Sequence, residues 1–394
     1  MGVAQPARAG EQDRQPVVGM VGGGQLARMA AQAAIGLGIE FRVLADTAAD
    51  SAAQVCARTQ IGDYHRADDV LAFGAGCDVV TFDHEHVPGE HLAALEAVTA
   101  VRPGGPALRF AQDKAAMRDR LSGLDSLKAL GVRCPRYRPV SSLAEVASFA
   151  ADGGGWPVVL KATSGGYDGR GVWMCDNESS AADVIAHGIG LLVEEYVAFD
   201  RELAVLGARS PKGQGAAYPV MQTVQQDGIC REVIAPAPDL EPGLAMRAQQ
   251  LGLTIAAELD VTGLLAVELF AVGDELIINE LAMRPHNCGH WTIDAARTSQ
   301  FEQHLRAVLD LPLGAPMPTS ASAVMVNVLG GEPDLHSRLV HVMAADPGVK
   351  VHLYGKAVRP GRKVGHVTAA GEDVAALRDR AWRAANYLSR GTED

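Results

Sequence analysis

The stretch "VVGMVGGGQLARMAAQAAIGLGIEFRVLAD" admits few folds. Val17 to Val21 form an apolar run of strand length that enters a glycine turn and continues as an Ala-rich helical segment. "EFRVLAD" reads as a second strand and "DVVTFD", residues 78–83, as a third. Short strands that are apolar almost throughout are covered on both faces, so a parallel β-α-β sheet is predicted here. Gly22, Gly24 and Ala27 match G-x-G-x-x-A, with Asp46 at the end of the next strand. Such glycines let backbone amides approach a phosphate at a helix N-terminus. Nothing downstream resembles a hydride-transfer centre, which counts against a dinucleotide. A bare strand-to-helix turn and the phosphate of another ligand both stay open.

The helical stretch around "AQDKAAMRDRLSGL" leads into "GVRCPRYRPV", and Ser142 with Glu145 forms a capping-box pattern ahead of "LAEVASFA". After "DGGGWP" (152–157) strands dominate, with helices near 178–188 and 240–259, which suggests an α+β unit built on antiparallel sheet. Past "DLPLGAPMP" (310–318) a third, smaller β-rich piece carries "AVMVNVL", "VKVHLYG" and "KVGHVTA" before a closing helix. A chain of 394 residues, 48% hydrophobic and 21% charged, suits two or three packed domains. Its formal charge of −12 argues against general affinity for nucleic acid or anionic membranes. The six cysteines include no C-x-x-C pair, which argues against a zinc site or disulfide framework and fits a reducing cytosol. No apolar run is long enough to cross a bilayer. Residues 1–15 lack the apolar stretch of a signal peptide, and Pro6 stands where a myristoylation signal wants Ser or Thr. A disordered tail is expected there.

Five segments carry chemistry. "TSGGYDGRGV" (163–172) places four glycines just after a strand bearing Lys161, with Arg170 inside the turn. It lacks the Walker order, yet can fold over phosphates with a fixed cation behind it. In "LLVEEYVAFDREL" (191–203), Glu194 and Glu195 stand among apolar neighbours, where carboxylates are costly unless paired. Backbone there could read an adenine, with Glu202 accepting ribose hydroxyls, although a solvated edge strand explains the segment equally well. "LAVELFAVGDELIINELAMR" reads as a hairpin turning at Gly273-Asp274. A two-residue loop pairs Glu268 with Asn279, and one extra residue pairs it with Glu280. Either register brings oxygen ligands together, as Mg²⁺ held by one or two carboxylates plus phosphates requires. "RPHN" follows: Arg284 suits a planar oxyanion, His286 and Asn287 add hydrogen bonds, and His290 reads as structural beside Trp291. Finally, "YGKAVRPGRKVGH" gathers Lys356, Arg359, Arg362, Lys363 and His366 around a Pro-Gly turn, a basic cluster on an acidic chain.

In this order, the lysine strand, glycine loop, acidic strand and paired acids resemble the ATP-grasp superfamily. Within it, "GGYDGRG", "NELAMRPHNCGHW", "RPGRKVGH", "GMVGGGQLARM" and "TFDHEHVP" closely resemble the N5-carboxyaminoimidazole ribonucleotide synthase family, over roughly residues 16–390. The resemblance implies an α/β pre-grasp domain (16–111), an α+β ATP-grasp body (112–310) and a small β-rich C-terminal domain (311–390), after a tail at 1–15. It implies a homodimer that uses ATP, Mg²⁺ and bicarbonate to carboxylate aminoimidazole ribonucleotide through carboxyphosphate. Arg109, Lys161 and the loop Gly166, Tyr167, Asp168, Gly169, Arg170 and Gly171 would then face ATP phosphates. Glu194, Glu195, Tyr196 and Val197 would line adenine, with Glu202 on the ribose. Gln225 takes a place in the nucleotide site where many relatives carry histidine. Glu268 and Glu280 would hold Mg²⁺ beside Asn279, and Arg284, His286 and Asn287 would surround bicarbonate and carboxyphosphate. Glu85, Tyr167, Asp168, Lys356 and Arg362 would meet the ribonucleotide; "TFDHEHVP" departs there from the common "YEFENVP". Another ATP-grasp ligase, or a nucleotide-binding scaffold without catalysis, are the rival readings.

Overall fold

The computed structural model describes residues 14–166 and 169–392. Residues 1–13 of the expected tail, and Tyr167 and Asp168, lie outside the described residues. Five strands, β1 (Val17–Val21), β2 (Glu40–Ala45), β3 (Thr59–Ile61), β4 (Val79–Phe82) and β5 (Ala100–Val101), form a parallel sheet in the order β3-β2-β1-β4-β5. The helix Gln25–Gly36 packs Leu26, Met29 and Ala30 onto it.

The glycine turn before that helix is filled from within the chain. Asp83, just past β4, accepts from the Gly24 amide at 2.7 Å and the Ala27 amide at 3.1 Å. A carboxylate therefore takes the helix N-terminus where a ligand phosphate was one of the two open readings. Any side chain at Gly24 would lie 1.9 Å from Asp83 Oδ2, which explains glycine at that position. Arg14, inside the expected tail, pairs with Asp78.

A second, four-stranded sheet follows, in the order β7-β10-β8-β9, from β7 (Tyr137–Val140), β8 (Val158–Ala162), β9 (Val172–Cys175) and β10 (Leu191–Glu195). The helix Leu143–Asp152 that covers it opens on the capping box expected at Ser142 and Glu145. The third sheet has ten strands. Its path is β18-β19-β17-β14-β13-β11-β15-β16-β6, with β12 off β11. These are β6 (Val132–Arg133), β11 (Arg201–Arg209), β12 (Gly215–Ala217), β13 (Met221–Gln226), β14 (Ile229–Ala235), β15 (Gly263–Val272), β16 (Glu275–Ala282), β17 (Ser322–Leu329), β18 (Lys350–Leu353) and β19 (Lys363–Gly371).

The C-terminal strands thus build no sheet of their own. β17 pairs with β14 from Glu232↔Val326 to Ala235↔Ala323 and so covers an edge that would otherwise expose its amides and carbonyls. The closing helix Val374–Arg390 buries Leu377, Ala381 and Leu388 against this extension. Among the described residues, no helix is long and apolar enough to cross a membrane.

Candidate active site

Where the three sheets meet lies a cavity of about 1480 Å³, and most residues singled out by the sequence line it. β8 ends on Lys161, which is buried, as the glycine segment requires of its fixed cation. Lys161 Nζ lies 2.7 Å from Glu194 Oε2 and donates to Asn279 Oδ1 at 3.0 Å. Glu194 Oε1 accepts from Arg118 Nε at 2.6 Å. Burial raises the Glu194 pKa, yet Lys161 and Arg118 outweigh it and hold the carboxyl down at about 2. The same burial lowers the Lys161 pKa, with Glu194 acting against that. Glu194, expected beside adenine, therefore has its carboxylate engaged by two buried cations. Glu195 pairs with Arg133 and Arg136. Tyr196 and Val197 lie in the wall, and Phe199 stacks on Phe270 with ring centroids 4.6 Å apart.

Described residues of the glycine segment border the cavity. Gly169, at φ +74°, packs against Gly228, at φ +72°, so tightly that a side-chain carbon on Gly169 would sit 2.8 Å from Gly228 Cα. The loop of one sheet thereby rests on the Asp227-Gly228 turn of another, and only glycine permits the approach. Gly166 and Arg170 line the cavity; Gly171 sits at the loop's base, where its carbonyl accepts from the Ala162 amide at 2.8 Å. Arg109 is exposed on the helix Gly105–Gln112, outside the lining residues. The cavity has Lys114 instead, a buried cation one helix further on that pairs with Glu280 Oε1 at 2.5 Å. Its position in "AQDKAA" reads as a solvated helix face, so pattern alone missed it.

The acidic hairpin combines features of both expected registers. Its loop is the two residues Gly273 and Asp274, with Val272 opposite Glu275. Glu268 nevertheless faces Glu280, because a bulge between Glu268 and Leu269 makes Asn279 the extra residue. Burial first, and the neighbouring Glu280 second, push the Glu268 carboxyl up to about 7. Two carboxylates forced together in this way call for a cation. Among the described residues no group of three or more His, Cys, Asp or Glu could hold a metal alone. A carboxylate pair completed by phosphates is the donor set Mg²⁺ takes, so the residues fit that ion. Glu202, on β11 opposite Phe270 of β15, is pushed up to about 7 by burial, against a hydrogen bond from the Gln225 backbone.

Beyond β16, the Arg284 segment is clamped from both sides. Glu85 accepts from Arg284 Nε at 2.8 Å and from the Met283 amide at 3.0 Å. Burial opposes the charge of Arg284, but Glu85 outweighs it and raises the pKa. Gln300, fully buried, accepts from the His286 amide at 2.9 Å and donates to the His286 carbonyl at 2.8 Å. The Cys288 amide donates to His286 Nδ1 at 3.4 Å, with Cys288 Sγ 3.1 Å from the same nitrogen, and His286 Nε2 lies 3.6 Å from Glu268 Oε1. Asn287 and Asn327 exchange side-chain hydrogen bonds at 2.7 and 3.1 Å, tying the segment to β17. A buried polar residue inside "AVMVNVL" was the signal for Asn327; Gln300, in an amphipathic helix, offered none. The basic turn belongs to the same wall. Lys356, Arg359, Arg362 and Lys363 all line the cavity, and Lys356 donates to Gln25 at the start of the first helix.

Three family models match the chain: a ribonucleotide synthetase preATP-grasp domain over residues 16–112, an ATP-grasp domain over 125–301, and a phosphoribosylaminoimidazole carboxylase C-terminal domain over 323–380. The N5-carboxyaminoimidazole ribonucleotide synthase of Mycobacterium tuberculosis is 54% identical, over 95% of this chain and 88% of its own. That of Corynebacterium ammoniagenes is 48% identical, over 95% and 92%. Among solved structures, the Aspergillus clavatus enzyme in complex with ADP and 5-aminoimidazole ribonucleotide is 31% identical. It superposes with a TM-score of 0.86, over 95% of this chain and 99% of that one. The Thermus thermophilus enzyme is 37% identical with a TM-score of 0.84, over 95% and 98%.

Proposed function

The chain belongs to the N5-carboxyaminoimidazole ribonucleotide synthase family of ATP-grasp ligases, and on that premise we propose how its own residues carry out the reaction. The enzyme uses ATP to carboxylate the exocyclic amine of 5-aminoimidazole ribonucleotide, a C–N bond-forming step of purine biosynthesis. The observation that carries the residue-level reading is one cavity that gathers the carboxylate pair, the anchored arginine, the imidazole and the basic turn.

ATP phosphates lie between Lys161, Lys114 and the glycine segment, with the base along Glu195 to Val197. Glu268 and Glu280 would hold Mg²⁺, which when bound would offset the charge on the phosphate oxygens. A bicarbonate oxygen attacks the γ-phosphorus, the bond to ADP breaks, and carboxyphosphate forms. Arg284, oriented through Nε by Glu85, presents its terminal nitrogens to the carboxylate, and His286 adds an imidazole hydrogen bond. Carboxyphosphate then breaks its C–O bond, giving CO₂ and phosphate. The amine nitrogen bonds to the CO₂ carbon and releases a proton as the carbamate forms. The glycine segment resting on Gly228 keeps this sequence away from bulk water, which would otherwise destroy the intermediate. Lys356 and Arg362 take the ribonucleotide's phosphate. A homodimer is inferred from the family resemblance, and a cytosolic setting from six free cysteines with no pairing among them.

The test is ADP release with bicarbonate and aminoimidazole ribonucleotide each supplied or withheld. Release needing bicarbonate and stimulated by the ribonucleotide is expected. Equal release in bicarbonate-depleted and replete buffer would contradict the reading, and no release at all would favour a scaffold.

A pH effect follows from Glu202. Its carboxyl, raised to about 7 by burial, is protonated below that value and ionised above it. An ionised acceptor holds ribose hydroxyls better, so the KM for ATP should fall as pH rises through about 7. A change of up to about tenfold is expected, the difference between a neutral and a charged hydrogen bond. Glu202→Gln should flatten that trend relative to the parent enzyme measured in parallel. A variant with the parent's pH profile would take Glu202 off the ribose.

A further inference from the structure

The helix Lys114–Ser122 places Lys114 and Arg118 one turn apart on the same face. Lys114 reaches Glu280, whereas Arg118 is fully buried and has no role in the reading above beyond its ion pair with Glu194. A buried guanidinium persists only where its charge is paired and its N–H groups are satisfied. Glu194, on the four-stranded sheet, supplies the charge at 2.6 Å. Two further donors reach the ten-stranded sheet: Nη1 donates to the Ile278 carbonyl at 2.9 Å, besides Met117 Sδ at 3.6 Å, and Nη2 to the Asn279 carbonyl at 2.7 Å.

Those carbonyls belong to the bulge. β15 and β16 pair as Leu269↔Ile278 and then as Glu268↔Glu280, with Asn279 left over. On the outer edge, β6 pairs with Leu276 and Ile277 and ends at Arg133, so Arg118 takes up the carbonyls just beyond it. The register has a chemical consequence. Side chains alternate faces along a strand, so without the extra residue Asn279 would face Glu268 and Glu280 would turn to the opposite side of the sheet.

We propose that Arg118 is a positioning residue for the metal carboxylates: by donating to the carbonyls of Ile278 and Asn279 it holds the bulge that keeps Glu280 opposite Glu268. The proposal rests on the reading of Glu268 and Glu280 as Mg²⁺ ligands. Arg118→Lys retains a cation for Glu194 but cannot donate to both carbonyls and the carboxylate from one planar group. In the full-length protein with ADP, Mn²⁺ affinity measured by electron paramagnetic resonance should fall by about tenfold or more, the scale for a lost partner of a metal ligand. Deuterium uptake across residues 277–281 should quicken. In turnover, kcat should drop while the KM for the ribonucleotide stays level, a split that general loosening of the fold would not give. Should Arg118→Lys not fold, Arg118→Met combined with Glu194→Gln removes one cation and one anion together, and the same two readouts apply. Parent protein that binds no Mn²⁺ beyond what ADP alone takes up would overturn the metal assignment. Normal Mn²⁺ binding by the parent beside parent-like affinity and exchange in the folded variant would overturn the role of Arg118 alone.

Discussion

Glu280→Ala should lose turnover by about 10²-fold or more while its unfolding midpoint stays close to that of the parent. The magnitude is that of removing an electrostatic contact at a centre where charge develops. The fold is spared because the Glu280 side chain is 40% exposed to the cavity and makes its ion pair with Lys114 there. It packs against no core cluster, unlike its neighbours Ile278 and Leu281. Steady-state kinetics and thermal melts on the same preparation check both halves. Near-normal turnover would remove Glu280 from the metal site. Unfolding would show that its pairing with Lys114 is structural.

Lys356→Ala and Arg362→Ala should each raise the KM for aminoimidazole ribonucleotide by roughly tenfold to more than a hundredfold. That is the range for one charged hydrogen bond of about 1.5–3 kcal/mol. ATP should bind nearly as before, since its phosphates are assigned to Lys161, Lys114 and the glycine segment. The geometry supports the separation. Lys356 bridges to Gln25 on the first helix, and Arg362 is exposed on the turn with Nη1 donating to the Ala357 carbonyl. A raised KM for ATP with a level KM for the ribonucleotide would move this turn to the nucleotide site. If neither changes, it is a solvated loop.

The parallel sheet and the hairpin were legible because their signals are local: apolar runs, a glycine turn and period-two alternation. What lay beyond reach depends on contacts between distant segments. The C-terminal strands read as a separate piece because nothing in "AVMVNVL" says that β14 offers it an edge. The glycine turn left open what anion meets the helix, and the answer, Asp83, lies some sixty residues on in the chain. Counting from the turn gave two registers for the acids; a bulge, fixed by tertiary hydrogen bonds, decided it. Arg118 and Lys114 were not singled out, for one shared reason. Charged residues on a helix are solvated by default, and only the strands packed over this one bury both. Arg109, expected at the ATP phosphates with Lys161, is exposed and not among the residues that line the cavity.

The most direct measurement of the central claim follows oxygen from bicarbonate into phosphate. If a bicarbonate oxygen attacks the γ-phosphorus, that oxygen stays on phosphorus when carboxyphosphate breaks to CO₂. Turnover with ¹⁸O-labelled bicarbonate, quenched faster than the label exchanges with water, should therefore yield phosphate carrying one heavy oxygen for each ribonucleotide carboxylated. Unlabelled phosphate, with carboxylated product formed at the normal rate, would contradict the account.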